Sequence, residues 1–167
     1  GYGPQILAHL ATGQTHIALL ESAPDHPDIL VQKWKDDELV LVCGVKHRMA
    51  NCDPLPVSTL PELSYVLRES KAAARDTLDD ALRNIGITHL NVAMEASSTD
   101  TIVEILKRGK HVSFLPHFAV EERLNCGDLY HIKVSGLCIM RILWITRHRT
   151  HLDHPVAEAF IQLLRGE

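Results

Sequence analysis

The chain contains no Cys-x-x-Cys pair, no apolar run approaching the ~20 residues of a membrane span, and no charged-then-apolar opening of a secretion signal. Its four cysteines, Cys43, Cys52, Cys126 and Cys138, stand apart, which predicts reduced thiols in a cytosolic protein. Positive charge is not in excess: 17 Lys and Arg against 21 Asp and Glu leave a formal charge of -4, which gives no electrostatic footprint for nucleic acid. Enzyme signatures are missing too. There is no Gly-x-Ser-x-Gly elbow, Walker loop, Gly-x-Gly-x-x-Gly turn or His-Glu-x-x-His helix, and no trio stands out as nucleophile, base and orienter. No internal repeat or low-complexity tract breaks the chain.

What is present is an ordinary globular composition. The 167 residues are 46% hydrophobic and 23% charged, enough to bury a core as one domain or two small lobes. Helix and strand signals alternate, the pattern of a mostly parallel α/β sheet. Pro4 suits an early helical position, Ile6, Leu7 and Leu10 form an apolar stripe, and Gly13 suits the stop. Strands are expected at His16–Leu20, Ile29–Trp34, Glu38–Cys43, Tyr65–Leu67, Asn91–Met94, Val112–Leu115, Tyr130–Val134 and Arg141–Thr146. Between Asn51 and Pro61, three prolines mark a connector. A helix is predicted from Ala72 to Asn84, with Ala74, Leu78, Ala81, Leu82 and Ile85 inward and Gly86 as its cap. Another carries Ile102, Val103, Ile105 and Leu106 and stops at Gly109, and a helical turn or two follows from Ala119 to Leu124. The last helix begins near Asp153 and Pro155, with Val156, Phe160, Leu163 and Leu164 facing inward.

Four stretches bear on chemistry. In Met94-Glu95-Ala96-Ser97-Ser98-Thr99-Asp100, hydroxyls and backbone N–H groups at a helix start suit a carboxylate, sulfate or phosphate; equally, Ser97 or Ser98 serves only to cap its own helix. Ser70 and Lys71 open the next candidate helix as a ligand donor and a charge, or as a solvated face. Ser22 follows the strand His16–Leu20, and open α/β sheets bind ligands beyond the carboxyl ends of their strands. Phe114 ends a strand of the same kind, as core, pocket wall or contact. The histidines of the string Arg147–His154 have spacing that invites a metal, but no cysteine pair or fourth spaced ligand completes a zinc pattern, so no metal or other cofactor is expected.

Six segments stand in order along the chain: Gly13-Gln14-Thr15-His16-Ile17-Ala18-Leu19-Leu20-Glu21, Trp34–Val42, Leu67-Arg68-Glu69-Ser70, Met94-Glu95-Ala96-Ser97-Ser98, Gly109-Lys110-His111-Val112-Ser113-Phe114-Leu115-Pro116, and Gly127-Asp128-Leu129. Together they resemble the effector-binding domain of LysR-type bacterial transcription regulators. The resemblance implies an α/β fold of two Rossmann-like lobes joined by two crossover strands, like type II periplasmic binding proteins. One lobe would hold 1–42 and 142–167, incomplete at its N-terminus, and the other 43–141. It also implies a non-catalytic, cytoplasmic domain that binds a small anionic metabolite between the lobes. Ser97, Ser98, Ser70, Lys71, Ser22 and Phe114 are then the candidate effector contacts. The turn Lys71-Ala72-Ala73-Ala74 departs from the Gly/Ser/Thr-rich turn usual in the family. The implied partners are a small-molecule effector, a second copy in a homodimer or tetramer, and DNA only through an N-terminal helix-turn-helix domain, with no membrane. Two rivals remain, a solute-binding protein serving a transporter and an α/β enzyme without a recognised motif.

Overall fold

The structure, a computed structural model, describes residues 3–12, 14–15, 17–149 and 155–166. Gly13, His16 and residues 150–154 lie outside these. With them go the expected stop of the first helix, the first residue of the first expected strand, and His151, Asp153 and His154. The chain divides into two compact units, Gly1–Asp36 with Arg141–Glu167, and Asp37–Met140.

In the first unit α1 (Gly3–Ala11) precedes β1 (Ile17–Leu20), which pairs antiparallel with β9 (Ile139–His148) from Ile17↔Arg147 to Leu20↔Trp144. The apolar stripe of α1 works as its spacing requires: Leu10 is buried and Ile6 and Leu7 pack against Ala18 and Ile29. The buried Thr146 hydroxyl donates to the Ala18 carbonyl at 3.0 Å. Arg141, with its side chain 4% exposed, pairs with Glu21 at 2.9 Å. The closing helix α5 (Pro155–Arg165) corrects the sequence reading. Ala157 and Ile161 are its buried residues and Leu164 is half-buried, whereas Val156, Phe160 and Leu163 are exposed at 70, 39 and 74%. Two apolar stripes lie side by side on this helix, and periodicity alone does not choose between them. An ion pair from Arg147 to Glu158, and a hydrogen bond from Trp34 Nε1 to the Leu164 carbonyl, fix the rotation.

β2 (Ile29–Gly44) is one sixteen-residue strand, where the sequence suggested two separated by Lys35-Asp36-Asp37. The charged run fits a strand because its early half is solvent-facing: Lys33 pairs with Asp36 at 3.0 Å and Lys35 lies over the Trp34 ring at 4.6 Å. From Leu39 onward the strand is buried on both faces.

In the second unit β2 carries β6 (Val112–Pro116) and β7 (Leu129–Ile132) as antiparallel neighbours, and β4 (Ser64–Arg68) pairs parallel with β6 and with β5 (Asn91–Ala96). The sheet is therefore mixed rather than mostly parallel, since the long strand runs against its neighbours. The expected strand Tyr130–Val134 splits at Lys133, whose carbonyl accepts the Leu55 N–H at 2.9 Å. Beyond it β8 (Val134–Ser135) pairs with β3 (Leu55–Pro56) in the proline-rich connector.

Two apolar layers cover this sheet. α2 (Ala73–Asn84) seats Ala74, Leu78 and Leu82 against Leu39, Leu41, Tyr65, Leu67 and Phe114. On the opposite face α3 (Thr99–Leu106) seats Ile102, Val103 and Leu106 against Val40, Val42, Val66 and Leu115, beside Val120 of α4 (His117–Asn125). Ile85, expected inward, is exposed at 40% because α2 has ended: the Ile87 N–H bonds the Leu82 carbonyl at 2.9 Å across Gly86, whose φ of 86° favours glycine.

Candidate effector site

The parallel pairing of β4 with β5 and β6 brings three carboxyl ends together: Arg68 stands opposite Ala96, and Pro116 closes the strand on the other side. From each end the chain enters a helix, α2 from β4, α3 from β5 and α4 from β6. Helix starts present unpaired N–H groups and the positive end of a dipole, so this edge attracts negative charge.

The three starts are not equivalent. At α4, the Asp37 carboxylate accepts the Phe118 N–H at 3.2 Å, and Asp37 is only 6% exposed. At α3, Ser98 is the cap, its hydroxyl accepting the Thr101 N–H at 3.4 Å, while Asp100 in the first turn is held by Arg123 at 2.9 Å. At α2 the cap position is Ala72, which makes no side-chain cap hydrogen bond. The difference follows from residue type, since alanine has no oxygen to offer.

Arg75 ties this edge together. Its Nη1 donates to the Arg68 carbonyl and to Glu95, each at 2.9 Å, and its Nε to Asp79 at 3.2 Å. The carboxylate at the end of β5 is thus already engaged by a guanidinium, and Arg68 pairs with Glu69 at 3.3 Å.

Ser70 and Lys71 lie exposed in the turn before α2, and no described residue forms an ion pair with Lys71. Ser97 is exposed and Ser98 half-buried in the corresponding turn after β5. These four residues share one end of the sheet. Phe114 is 5% exposed and stacks on Tyr65, ring centroids 6.0 Å apart, so it is core on the α2 side and also lines a 340 Å³ cavity with Glu38, Leu41, His131 and Leu137. Ser22 belongs to the first unit, exposed in the bend after β1.

The cavity wall carries titratable side chains. Burial holds the His131 imidazole below its ordinary pKa, helped by His117 and Lys133 and opposed by Glu38 and Asp53. The Cys138 thiol donates to Glu38 at 3.7 Å and is raised by burial and by that carboxylate. Glu38 and Lys133 line the same cavity as His131, beside Leu39, Leu41, Ile132 and Leu137. Sequence reasoning had not singled out Asp37, Arg75 or His131. Each acts across strands, and no local motif announces such a partner.

Among the described residues no group of three or more His, Cys, Asp or Glu side chains is placed to hold a metal ion. Nor is any described helix long and apolar enough to cross a membrane.

Comparison with known proteins gives this geometry a family. The chain is 25% identical over 160 residues to the uncharacterized HTH-type transcriptional regulator YeiE of Escherichia coli K12, covering 93% of this chain and 53% of that protein. It thus spans about half the length of the curated relatives it matches. Among solved structures, the Synechocystis PCC6803 CcmR regulatory domain in complex with 2-PG superposes with a TM-score of 0.81 at 17% identity, covering 97% of this chain and 77% of that one. The effector binding domain of QuiR in complex with shikimate superposes with a TM-score of 0.80 at 17% identity, covering 99% and 78%. The chain shares the α/β fold of these domains. The description of the LysR substrate binding domain matches residues 1–167, and the chain belongs to that family.

Proposed function

We propose that this chain is the effector-sensing part of a LysR-type, DNA-binding transcription regulator of the cytoplasm, acting by binding rather than turnover. Its ligand is a small anionic metabolite, and 2-PG and shikimate, each in complex with one of the two structural neighbours, supply the first probes. The observation that carries the reading is the edge of three parallel strands whose helix starts are filled unequally. Asp37 occupies one and Ser98 caps the second, whereas α2 begins without a side-chain cap behind Ser70 and Lys71. An anion is the natural occupant of such an opening. Ser97 contributes a hydroxyl from the adjacent turn, Ser98 a shared one, and Phe114 the apolar wall; Ser22 is the strand-end donor of the first unit. Binding shifts the population between conformers that differ in affinity, and through it the DNA-binding part of the whole regulator.

Calorimetry with 2-PG and shikimate tests this on wild type and on Ser70→Ala, Ser97→Ala and Ser98→Ala. Losing a charge-assisted hydrogen bond of roughly 1.5–3 kcal/mol weakens binding about ten- to a hundredfold. Unchanged affinity of a bound probe in all three folded variants would refute the assignment.

We also propose that two copies pair through an isologous contact using α1 and α2. In support, β5 has only β4 as a described neighbour, with Met94 exposed at 41%, and a groove of about 460 Å³ runs between it and α2 past Arg75, Arg83, Ile87 and Val92. An exposed strand edge of this kind favours pairing. Sedimentation showing only monomer at tens of micromolar would contradict it.

A further inference from the structure

The loop 45–50 after β2 and the loop 107–111 between α3 and β6 lie one on the other. Gly44 passes under the end of α3, where a Cβ would stand 2.2 Å from the Leu106 carbonyl oxygen. Gly109, at φ 86°, lets the second loop close on Lys46, whose Cβ would be 3.3 Å from a Cβ placed there. His47 is 7% exposed and feels the charges of Arg48 and His111, and the His111 ring shares a 2.9 Å hydrogen bond with the Ser64 hydroxyl.

The two packed loops carry Lys46, Arg48, Arg108 and Lys110, all exposed, and none of the four forms an ion pair with a described residue. The nearby acids Glu104 and Asp128 are both engaged by Lys107, at 3.2 and 3.8 Å. Arg108 complements the carboxyl end of α3, as a cation should. Lys46 and Arg48 come from the loop after β2 and owe nothing to that helix. Four like charges are thus brought together in a chain whose net charge is -4, a concentration that the overall balance conceals. The two loops carry no aromatic side chain, the usual anchor of a protein partner. Lys and Arg together suit phosphate oxygens.

We infer that this patch docks the phosphate backbone of duplex DNA without regard to base sequence. The inference rests on the regulator reading, in which DNA is the polyanion at hand. The remainder of the chain is acidic, so the contact is weak alone and works at the high effective concentration of a tethered complex.

The test is amide NMR of this chain with a mixed-sequence duplex of about 25 base pairs at about 20 mM salt. Resonances of Lys46–Ala50 and Lys107–His111 should shift saturably, and four phosphate contacts predict about a three-hundredfold loss of affinity between about 20 and 100 mM salt. Lys46→Gln with Arg108→Gln should weaken binding at least tenfold, while Lys33→Gln with Arg165→Gln should not. Three results would overturn the proposal: no shift in these loops, equal loss in both double variants, or equal binding of polyglutamate or pyrophosphate. None of these outcomes bears on Ser70–Ala73 or Ser97, so a failure here is distinguishable from failure of the effector site.

Discussion

Single side chains in this fold have states that chemistry can read. Burial pushes the Cys43 thiol up to about 12 and leaves it without exposed surface, whereas Cys52, Cys126 and Cys138 are exposed. A colorimetric thiol reagent at about pH 8 should therefore titrate Cys52 and Cys126 fastest and Cys138 more slowly, and Cys43 only after unfolding. Rapid reaction at Cys43 in the native protein would contradict its placement. The Tyr130 hydroxyl donates to Asp53, which lowers the carboxyl below 3.8 and raises the phenol above 10.0. The stability due to Asp53 is present above its unfolded value and is lost as pH falls through the lower folded one. That due to Tyr130 is present below its unfolded value and is lost as pH rises through the higher folded one. Denaturation of Tyr130→Phe against wild type should thus show a difference that is level between about pH 4 and 10 and shrinks on both sides; a pH-independent difference would contradict the pair. Ser113 buries a hydroxyl with no partner among the described residues. Because such a group costs about 1–3 kcal/mol, Ser113→Ala should leave stability unchanged or raise it in urea denaturation.

At the scale of elements, what the sequence revealed depends on how locally each feature is determined. Helix α2 and strand β6 were legible because Ala74, Leu78 and Leu82, or the run Val112–Leu115, carry their own period and stop signals. The continuity of β2 was hidden because the charged stretch Lys35-Asp36-Asp37 reads as a break, whereas the early half of the strand is solvent-facing and tolerates charge. The rotation of α5 was hidden because its two apolar stripes are equally periodic. Ile161→Ala should consequently cost about 2–4 kcal/mol by thermal or urea unfolding, while Leu163→Ser should stay within about 0.5 kcal/mol; the reverse order would restore the inward reading of Leu163. At the candidate site, Ser97, Ser98, Ser70 and Lys71 were legible as helix-start chemistry. Capping by Ser97 or Ser98 was one of the readings and the structure gives it to Ser98, whereas Asp37 reaching α4 from another strand had no local signal. Ser98→Ala should cost about 1 kcal/mol of stability as a lost cap.

At the largest scale, the fold brings the starts of α2, α3 and α4 to one edge of the parallel strands, and we propose the start of α2, which has no side-chain cap, as the ligand's place. Packing explains its order: the long strand is buried on both faces from Leu39, and α2 on one side with α3 and α4 on the other hold the parallel trio in register. In the proposed function the charge of an effector is met by N–H groups, by Lys71 and by the Ser97 hydroxyl. This claim is tested most directly by mapping a small-anion titration onto the chain with amide NMR, using 2-PG, shikimate and a panel of short carboxylates and phosphate esters. The account predicts that at least one shifts Ser70–Ala73 and Ser97–Ser98 together and saturably, and that Lys71→Gln weakens it about tenfold, the loss of one charged contact. Saturable binding that leaves those amides unmoved, or that Lys71→Gln and Ser97→Ala both leave unchanged, would contradict it.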